Sequence, residues 1–381
     1  MAGDEKPRRV RPYWDEDPWP EAVSGTAVLD NARELVQRHI TTGDEEVDAL
    51  ILWAVGTWAV KPYDYFPGLV VTSPEKQCGK TRLMEVVGML THRPILTIDA
   101  SMATLYRAVE EDGATIFIDE IDRIKNRERR EDLTRMLNGS TSRAFGWVER
   151  CETVGRRIER RSFSVFGPKA CAGIGVDSVP DTFRDRSLHI ELQRRAKPQA
   201  RNKLRHDKDA FGRMRQRIAR WADDHLEKLG NPAEFPFPEY TSERHEEAWE
   251  PLLEIAQVVS GPWPDRAWSA MEKLTKPIET TESWRVALLR DCQQVYRTLG
   301  DGDGNIARDQ LRLELLNLDE PSRAWKTWGK GAPAAPLTSE AMRKVLSKYE
   351  IRTTEVWING AKQRGYKWDD FFDAWESYLG L

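Results

Sequence analysis

Leu69-Val-Val-Thr-Ser-Pro-Glu-Lys-Gln-Cys-Gly-Lys-Thr81 decides how the rest of the chain is read. Its apolar, β-branched opening has the character of a buried strand. Arg82-Leu-Met-Glu-Val-Val-Gly-Met-Leu90 follows with apolar residues at helical spacing. A strand, a tight loop, Gly79-Lys80-Thr81 and a helix together make a phosphate site. Backbone N–H groups at the helix start face the anion, Lys80 adds a point charge, and Thr81 can ligate Mg²⁺. Ser73, Pro74, Glu75, Lys76, Gln77, Cys78, Gly79, Lys80, Thr81 and Arg82 are therefore the candidate nucleotide-binding residues. Pro74 stands where the first glycine of the usual G-x-x-x-x-G-K-[ST] loop is expected, and Gly-Lys-Thr alone is common by chance. The loop needs a second motif.

That motif is Ala114-Thr-Ile-Phe-Ile-Asp-Glu120, an apolar run ended by two carboxylates. An acid at the carboxyl end of a buried strand can complete the Mg²⁺ shell opposite Thr81, which assigns Asp119. The carboxylate beside it, Glu120, can orient and deprotonate an attacking water. The plain alternative is an Asp-Glu pair capping a helix or facing solvent. Proteins with this adjacent glutamate usually insert a strand between the phosphate-loop strand and the acidic one. Pro94–Asp99, Phe163–Gly173 and Ser187–Leu192 supply the remaining strands of a doubly wound, five-stranded parallel sheet, with the ligand at the strands' carboxyl ends.

The 381 residues allow one large domain and one or two small ones. With 40% hydrophobic and 31% charged residues, a real core and a soluble surface are both available. A formal charge of −4 excludes a uniformly basic coat, so any nucleic-acid contact must be a local patch. Cys78, Cys151, Cys171 and Cys292 lack C-x-x-C spacing, which argues against a zinc site and for reduced thiols. The polar start carries no signal-peptide pattern. The longest apolar run, Val47 to Val60, is shorter than the roughly 20 residues a bilayer requires. A soluble, cytoplasmic protein with no membrane partner is expected.

Residues 1–20 read as a flexible arm, ordered where Trp14 and Trp19 find a groove. Residues 21–66 read as a helical cap, with helices at Asp30–Ile40 and Glu46–Val60 and a capping box at Thr42-x-x-Glu45. Residues 67–195 form the ATPase core, with a short helix at Ala103–Glu110. Residues 196–278 form a helical lid: a long helix over 207–230, a Pro-rich break at 231–238, and helices at Glu246–Val259 and Pro264–Lys273. Trp249, Trp263 and Trp268 are its expected core.

Residues 279–381 read as a separate, winged-helix-like domain. Its helices fall at Glu282–Leu299, Arg308–Asn317 and Ser339–Tyr349, ahead of a hairpin over Ile351–Ile358 and Gly365–Lys367. Arg343 and Lys344, with Lys348, Lys362 and Arg364, could face a DNA backbone. The alternative is a protein-interaction module. Asp301-Gly-Asp-Gly-Asn305 lacks the Gly and Glu of a calcium loop at its sixth and twelfth positions and reads as an inter-helix turn.

Between Gly139 and Phe163, Ala144–Arg150 and Arg157–Phe163 read as two strands around a turn near Val154-Gly155. This hairpin would carry Arg143, Arg150, Arg156, Arg157, Arg160 and Arg161, with Trp147 among them. Arginines contact phosphates and an aromatic can stack on a base. The alternative is a solvated hairpin balanced by Glu149, Glu152 and Glu159. The basic run Arg194–Arg205 reads as an exposed connector.

The chain resembles the domain-of-unknown-function family numbered 3631, P-loop ATPases of phages, prophages and integrative elements. The matching stretches are Ser73–Thr81, Ile118-Asp-Glu-Ile-Asp122, Leu137-Asn-Gly139, Gly167–Gly175, Pro180–Ser187 and Glu250–Ala256 with Trp263-Pro264, which together span most of the chain. The family tolerates Ser-Pro-Glu at the loop start, which accommodates Pro74. The resemblance implies replication-associated ATPases, often beside or fused to primase modules, with an architecture similar to AAA+ and superfamily 3 helicases. It implies an arginine reaching a neighbouring subunit's nucleotide. Arg186, in Asp-Arg-Ser, and Arg184 occupy that place; the alternative is an Arg186 that only pairs with Asp185 or Asp181. It also places a pore-lining hairpin ahead of the fourth strand. The usual polar sensor at that strand's end is not found, Gly173 standing near the expected position.

The expected function is an Mg²⁺-dependent ATPase assembling into a ring, with hexamers as the model. It would act on single-stranded or forked DNA as a replicative helicase or translocase of a phage or mobile element, with primase or other replication proteins as partners. Two alternatives stand beside it. One is a nucleotide-switched helicase loader or origin-binding regulator that does not translocate; the other is a defence-type ATPase.

Overall fold

The computed structural model describes every residue except 1–16, 98–100, 155–156, 194–202, 232–233, 277–283, 301–303, 320, 323–324, 328–334, 359 and 380–381. Trp14, Arg156, the 155–156 turn, most of the 194–205 run and the start of the 301–305 turn lie outside the described residues. The chain divides into two compact units, 1–276 and 277–381.

The first unit opens with α1 (Gly25–Gln37) and α2 (Asp44–Gly56). Helix α1 starts five residues earlier than its periodicity suggested, because the Ser24 hydroxyl accepts from the N–H of Ala27 and caps it. The expected capping box at Thr42 and Glu45 does not form. Gly43 is the N-cap with no side-chain bond, and Glu45 and Glu46 turn instead to the Lys273 ammonium, at 2.9 and 3.0 Å. Helix α2 is buried without a break from Val47 to Gly56, as a helix apolar on all sides must be.

The sheet follows. Its elements are β1 (Gly68–Ser73), α3 (Lys80–Gly88), β2 (Pro94–Thr97), α4 (Met102–Asp112), β3 (Thr115–Ile118) and α5 (Arg127–Ser140). The hairpin β4 (Trp147–Val154) and β5 (Arg157–Ser164) comes next, then β6 (Lys169–Ile174), α6 (Asp181–Arg184) and β7 (Ser187–Glu191). The central strands lie in the order β2-β3-β6-β1-β7, all parallel. Strand β6 stands between β1 and β3, where the adjacent glutamate led us to expect an inserted strand. The run Phe163–Gly173, expected as one strand, is two. Residues 165–168, including Gly167 and Pro168, carry the chain from the hairpin into the sheet.

Three helices complete this unit: α7 (Lys208–His225), α8 (Glu243–Val259) and α9 (Trp263–Thr275). They share one core with α1, α2, α3 and one face of the sheet, in which Trp53, Trp221, Trp249 and Trp263 are almost wholly buried. Trp268 packs against its edge. The other face is filled by α4, α5 and the base of the hairpin through Leu105, Leu133, Met136 and Phe163. Trp19 meets α7, donating its backbone N–H to Gln216 while Arg217 lies 4.7 Å over its ring.

The second unit runs α10 (Trp284–Leu299), β8 (Asn305–Ala307), α11 (Arg308–Asn317), α12 (Ser339–Leu346), β9 (Thr354–Ile358), β10 (Ala361–Lys367) and α13 (Asp369–Leu379). Strands β8, β10 and β9 form an antiparallel sheet with β10 central. Asn305, read as part of a turn, begins β8 and pairs with Lys367. Three residues are too few to show a strand period. Asp291 is fully buried and accepts from the Ser322 N–H and the Trp325 indole, tying α10 to the segment beyond α11.

Candidate functional site

Strands β1 and β3 run parallel with β6 between them, so their carboxyl ends open on the same edge of the sheet. The loop 74–79 and the pair Asp119-Glu120 leave from there. Gly79 takes a left-handed φ of 96° immediately before Lys80 starts α3, and Gln77 is left-handed as well, at 64°. A backbone turned this way points successive N–H groups into a concave, anion-binding curve. Glycine meets that demand at position 79 without strain.

The side chains converge. The Lys80 ammonium donates to Ser73 Oγ at 2.6 Å and lies 3.5 Å from the Glu75 carbonyl oxygen. The Thr81 hydroxyl donates to Asp119 Oδ2 at 2.6 Å, joining residues 38 apart in sequence. The other oxygen of Asp119 accepts the Glu120 N–H at 2.8 Å. Glu120 itself sits at φ 56°, a left-handed position that a non-glycine residue holds only when its surroundings compel it. These groups border a cleft of about 530 Å³, lined by residues 76–82, Asp119, Glu120, Asp122, Arg123 and Ile174. A hydroxyl and a carboxylate in contact are the hard-oxygen pair that Mg²⁺ takes alongside substrate phosphates, so these residues fit the ion.

Two side chains of the site had no role in the sequence reading. Arg123 ion-pairs with Glu120 at 2.6 Å, and Asp122 accepts the backbone N–H of Ile174 at 3.1 Å. The single turn of 3₁₀ helix at Ile121–Arg123 brings both onto the cleft. The Asp122 contact also clarifies the end of β6. A Cβ on Gly173 would stand 2.3 Å from Ser178 Oγ and 2.8 Å from the Ile121 side chain, so no polar side chain fits there. The polar side chain beside that strand end is the Asp122 carboxylate, which borders the cleft. Among the described residues, the three helices α7, α8 and α9 pack on α1, α2 and the sheet.

Neither of the two arginines before β7 lines the cleft. Arg186 immediately precedes β7, and its carbonyl receives the Gly68 N–H at the start of β1. It is therefore at the amino edge of the sheet, a strand length of about 16 Å from the loop's edge. Its guanidinium faces neither Asp185 nor Asp181 but Glu247 of α8, at 3.9 Å. Arg184 pairs with Asp181 at 3.1 Å and approaches the Val176 carbonyl at 3.4 Å. Burial, reinforced by the Arg184 charge, pushes the imidazole of His189 down to about 4, and that ring contacts Thr72 Oγ1 at 2.7 Å.

The hairpin forms, in the register Trp147↔Ser164 to Val154↔Arg157, with both strands longer than expected. Its described cations meet neighbours. Arg150 contacts Asp132 at 3.3 Å and the Tyr106 hydroxyl at 3.1 Å; Arg160 pairs with Glu149 at 2.7 Å; Arg161 lies 4.7 Å over the Phe163 ring. Arg157 opens β5. Arg143 is not on the hairpin. It sits in the turn before β4 and donates to the carbonyl oxygens of Lys61 and Tyr63 at 2.8 and 2.7 Å. Trp147 is 57% exposed and Phe145, just ahead of it, 80%. In the second unit Arg343 and Lys344 are exposed on α12, opposite its buried Met342, Val345 and Leu346. Lys362 and Arg364 are exposed on β10 across from Trp357 and Glu355. Among the described residues no helix is long and apolar enough to cross a membrane.

The family model described as protein of unknown function (DUF3631) matches residues 191–378. This is narrower than the resemblance suggested. Of the stretches quoted for it, only Glu250–Ala256 and Trp263-Pro264 fall inside, while the loop, Asp119 and Glu120 precede it. The "uncharacterized 28.9 kDa protein in xis 5'region" of Saccharopolyspora erythraea is 32% identical over 193 residues, 49% of this chain and 68% of that protein. Two solved structures of the apo A form of the NrS-1 C-terminal region are similar at TM-scores of 0.42 and 0.43, with 11% and 12% identity. Each alignment covers 93% of this chain and 78% of the other. The chain thus carries a DUF3631 region and belongs to the same family as the uncharacterised Saccharopolyspora protein.

Proposed function

We propose that the chain is an Mg²⁺-dependent ATPase that assembles into a ring and acts on DNA in the replication of a phage or mobile element, as a helicase or translocase. The observation that carries this reading is the meeting of Lys80, Thr81, Asp119 and Glu120 at one edge of a parallel sheet ordered β2-β3-β6-β1-β7.

In this reading the curved backbone of residues 76–80 and the Lys80 ammonium hold the phosphates. Bound Mg²⁺ would neutralise charge between phosphate oxygens, with Thr81 and Asp119 as its protein ligands. Glu120 would orient and deprotonate the attacking water, which requires its carboxylate to leave Arg123. Arg186 is too far along the sheet to serve its own cleft, so it would complete a neighbour's. DNA contacts would come from Trp147, Arg150, Arg156, Arg157 and Arg160 of the hairpin and from Arg343 and Lys344. The winged-helix order of the second unit, α10-β8-α11-α12-β9-β10, supports the latter.

The ion pair between Glu120 and Arg123 favours a second reading. A base held in a salt bridge suits a nucleotide-switched loader or origin-binding regulator, which keeps ATP until a partner releases the glutamate. One set of assays separates the two. A ring motor hydrolyses ATP at a specific rate that rises with protein concentration, loses it on Arg186→Ala, and displaces a strand from a tailed duplex. ATP hydrolysis without strand displacement selects the switch, and a specific rate independent of concentration removes the trans arginine.

A further inference from the structure

Arg82 borders the cleft and also reaches into the protein. It is the third residue of α3, and its guanidinium Nη2 stands 3.2 Å from Nδ1 of His39, in the segment after α1. A guanidinium can only donate, so Nδ1 must be the accepting nitrogen and the imidazole proton resides on Nε2. That nitrogen is 2.9 Å from Oδ2 of Asp207, an ion-pair distance that does not make a hydrogen bond between them, with both atoms sealed from solvent. His39 is completely buried, and the Phe211 ring of α7 packs 5.6 Å from it at a 40° tilt. Asp207 is the N-cap residue of α7. Three elements far apart in sequence therefore meet in one run of polar contacts, Arg82 hydrogen-bonded to His39 and His39 at ion-pair distance from Asp207.

Resting on the reading of the cleft as a nucleotide site, we infer that His39 and Asp207 are positioning residues that hold Arg82 as a phosphate-binding arm and tie nucleotide binding to the start of α7. A long arginine loses much rotamer freedom when it grips an anion, and a tether formed beforehand removes that cost from binding. One Nη is used on His39, while the fork has further N–H groups on its other edges. Swinging Arg82 fully into the cleft would strip a buried imidazole nitrogen of its donor, which is unfavourable. The arm therefore stays anchored at His39 while it contacts phosphate. Because the same ring faces Asp207 and Phe211, anything that firms Arg82 also firms residues 203–211. Glu85, whose Oε2 is 3.8 Å from Arg82 Nη1, is the acidic side chain on the same helix that competes for the guanidinium.

The two amides that imitate one imidazole nitrogen each supply the test. Asparagine places an acceptor where Nδ1 was, and glutamine reaches only the Nε2 position. ADP affinity is measured by anisotropy of a fluorescent ADP, with hydrogen exchange of residues 203–211 as the second readout. Arg82→Ala, His39→Ala and His39→Gln should each weaken ADP by about tenfold. The Arg82→Ala, His39→Ala double variant should be no weaker than either single one. His39→Asn should bind as the wild type does. ADP should slow exchange at 203–211 in the wild type but not in His39→Ala or in His39→Asn, which keeps the acceptor for Arg82 and lacks the ring edge that faces Asp207 and Phe211. Should His39→Ala not fold, the asparagine and glutamine variants carry the comparison. Equal ADP affinity in the wild type and His39→Gln, with Arg82→Ala weakened, would overturn the inference while leaving the nucleotide site standing. Equal affinity in the wild type and Lys80→Ala would overturn the nucleotide reading itself, and this inference with it.

Discussion

In the cleft, Lys80, Thr81, Asp119 and Glu120 are fixed by strand ends and a helix start, and they border about 530 Å³ of open space. On the hairpin, Arg150, Arg160 and Arg161 are at least as dense, yet each meets a partner on its own or a neighbouring strand or helix. Register explains the second pattern. Arg150 and Arg161 stand directly opposite one another, a repulsive pairing that Asp132 and the aromatic rings of Tyr106 and Phe163 relieve. Arg160 and Glu149 are diagonal neighbours and close on each other. Charge gathered at the end of a parallel sheet has no ladder partner and meets groups from the loops beside it, as Asp119 meets Thr81 and Glu120 meets Arg123. Charge on an antiparallel ribbon finds a mate two residues away.

The comparison breaks first at Glu120. Glu120→Gln should lower steady-state ATP turnover by about 10²–10⁴-fold with nucleotide binding retained. Normal turnover, measured by phosphate release beside filter-bound ATP, would place the base elsewhere. Arg143 sharpens the contrast from the structural side. Its guanidinium serves backbone carbonyls of residues 60–63, so Arg143→Ala should cost about 2 kcal/mol in urea melts through unpaired acceptors, without changing the salt slope of DNA binding. An altered slope would return Arg143 to the DNA surface.

Lys169 probes a buried charge that neither region uses. Burial pushes its ammonium down to about 7 from 10.5, and its Nζ donates to the Val165 and Gly167 carbonyls. Between those values the unfolded chain binds a proton that the folded one does not, so stability rises with pH across the window. Urea melts from pH 7 to 10 should show that rise in the wild type and lose it in Lys169→Met. The smallest effect is expected at Arg160. It is exposed and paired with Glu149, so Arg160→Ala should change stability by less than about 0.5 kcal/mol. If the hairpin meets DNA, the salt slope should fall by about one. An unchanged slope keeps Arg160 as a ribbon salt bridge.

Much of the first unit was legible in the chain itself. Strands β1 and β3 announce their cores as uninterrupted apolar runs, and Gly79-Lys80-Thr81 and Asp119-Glu120 mark the elements that follow them. The adjacent glutamate led correctly to the inserted strand β6. What failed was local. Thr42 lost its capping role because Glu45 had a better partner in Lys273, 228 residues away. Strand β8 is three residues long, and Arg143 was read with the hairpin beside it although its acceptors lie 80 residues upstream.

Residue types and short-range periodicity thus determined most of the elements, the sheet class and the polar residues at its carboxyl edge, because those depend on neighbours within one helical turn or one strand. Which cation meets which acceptor was decided only when the chain closed. Glu247 before Arg186, and His39 between Arg82 and Asp207, are distances in space, set by how the helices of residues 208–275 pack on the rest of the unit. A hydrogen bond or ion pair acts over about 3 Å, and no spacing along a sequence encodes that separation until the fold brings the partners together.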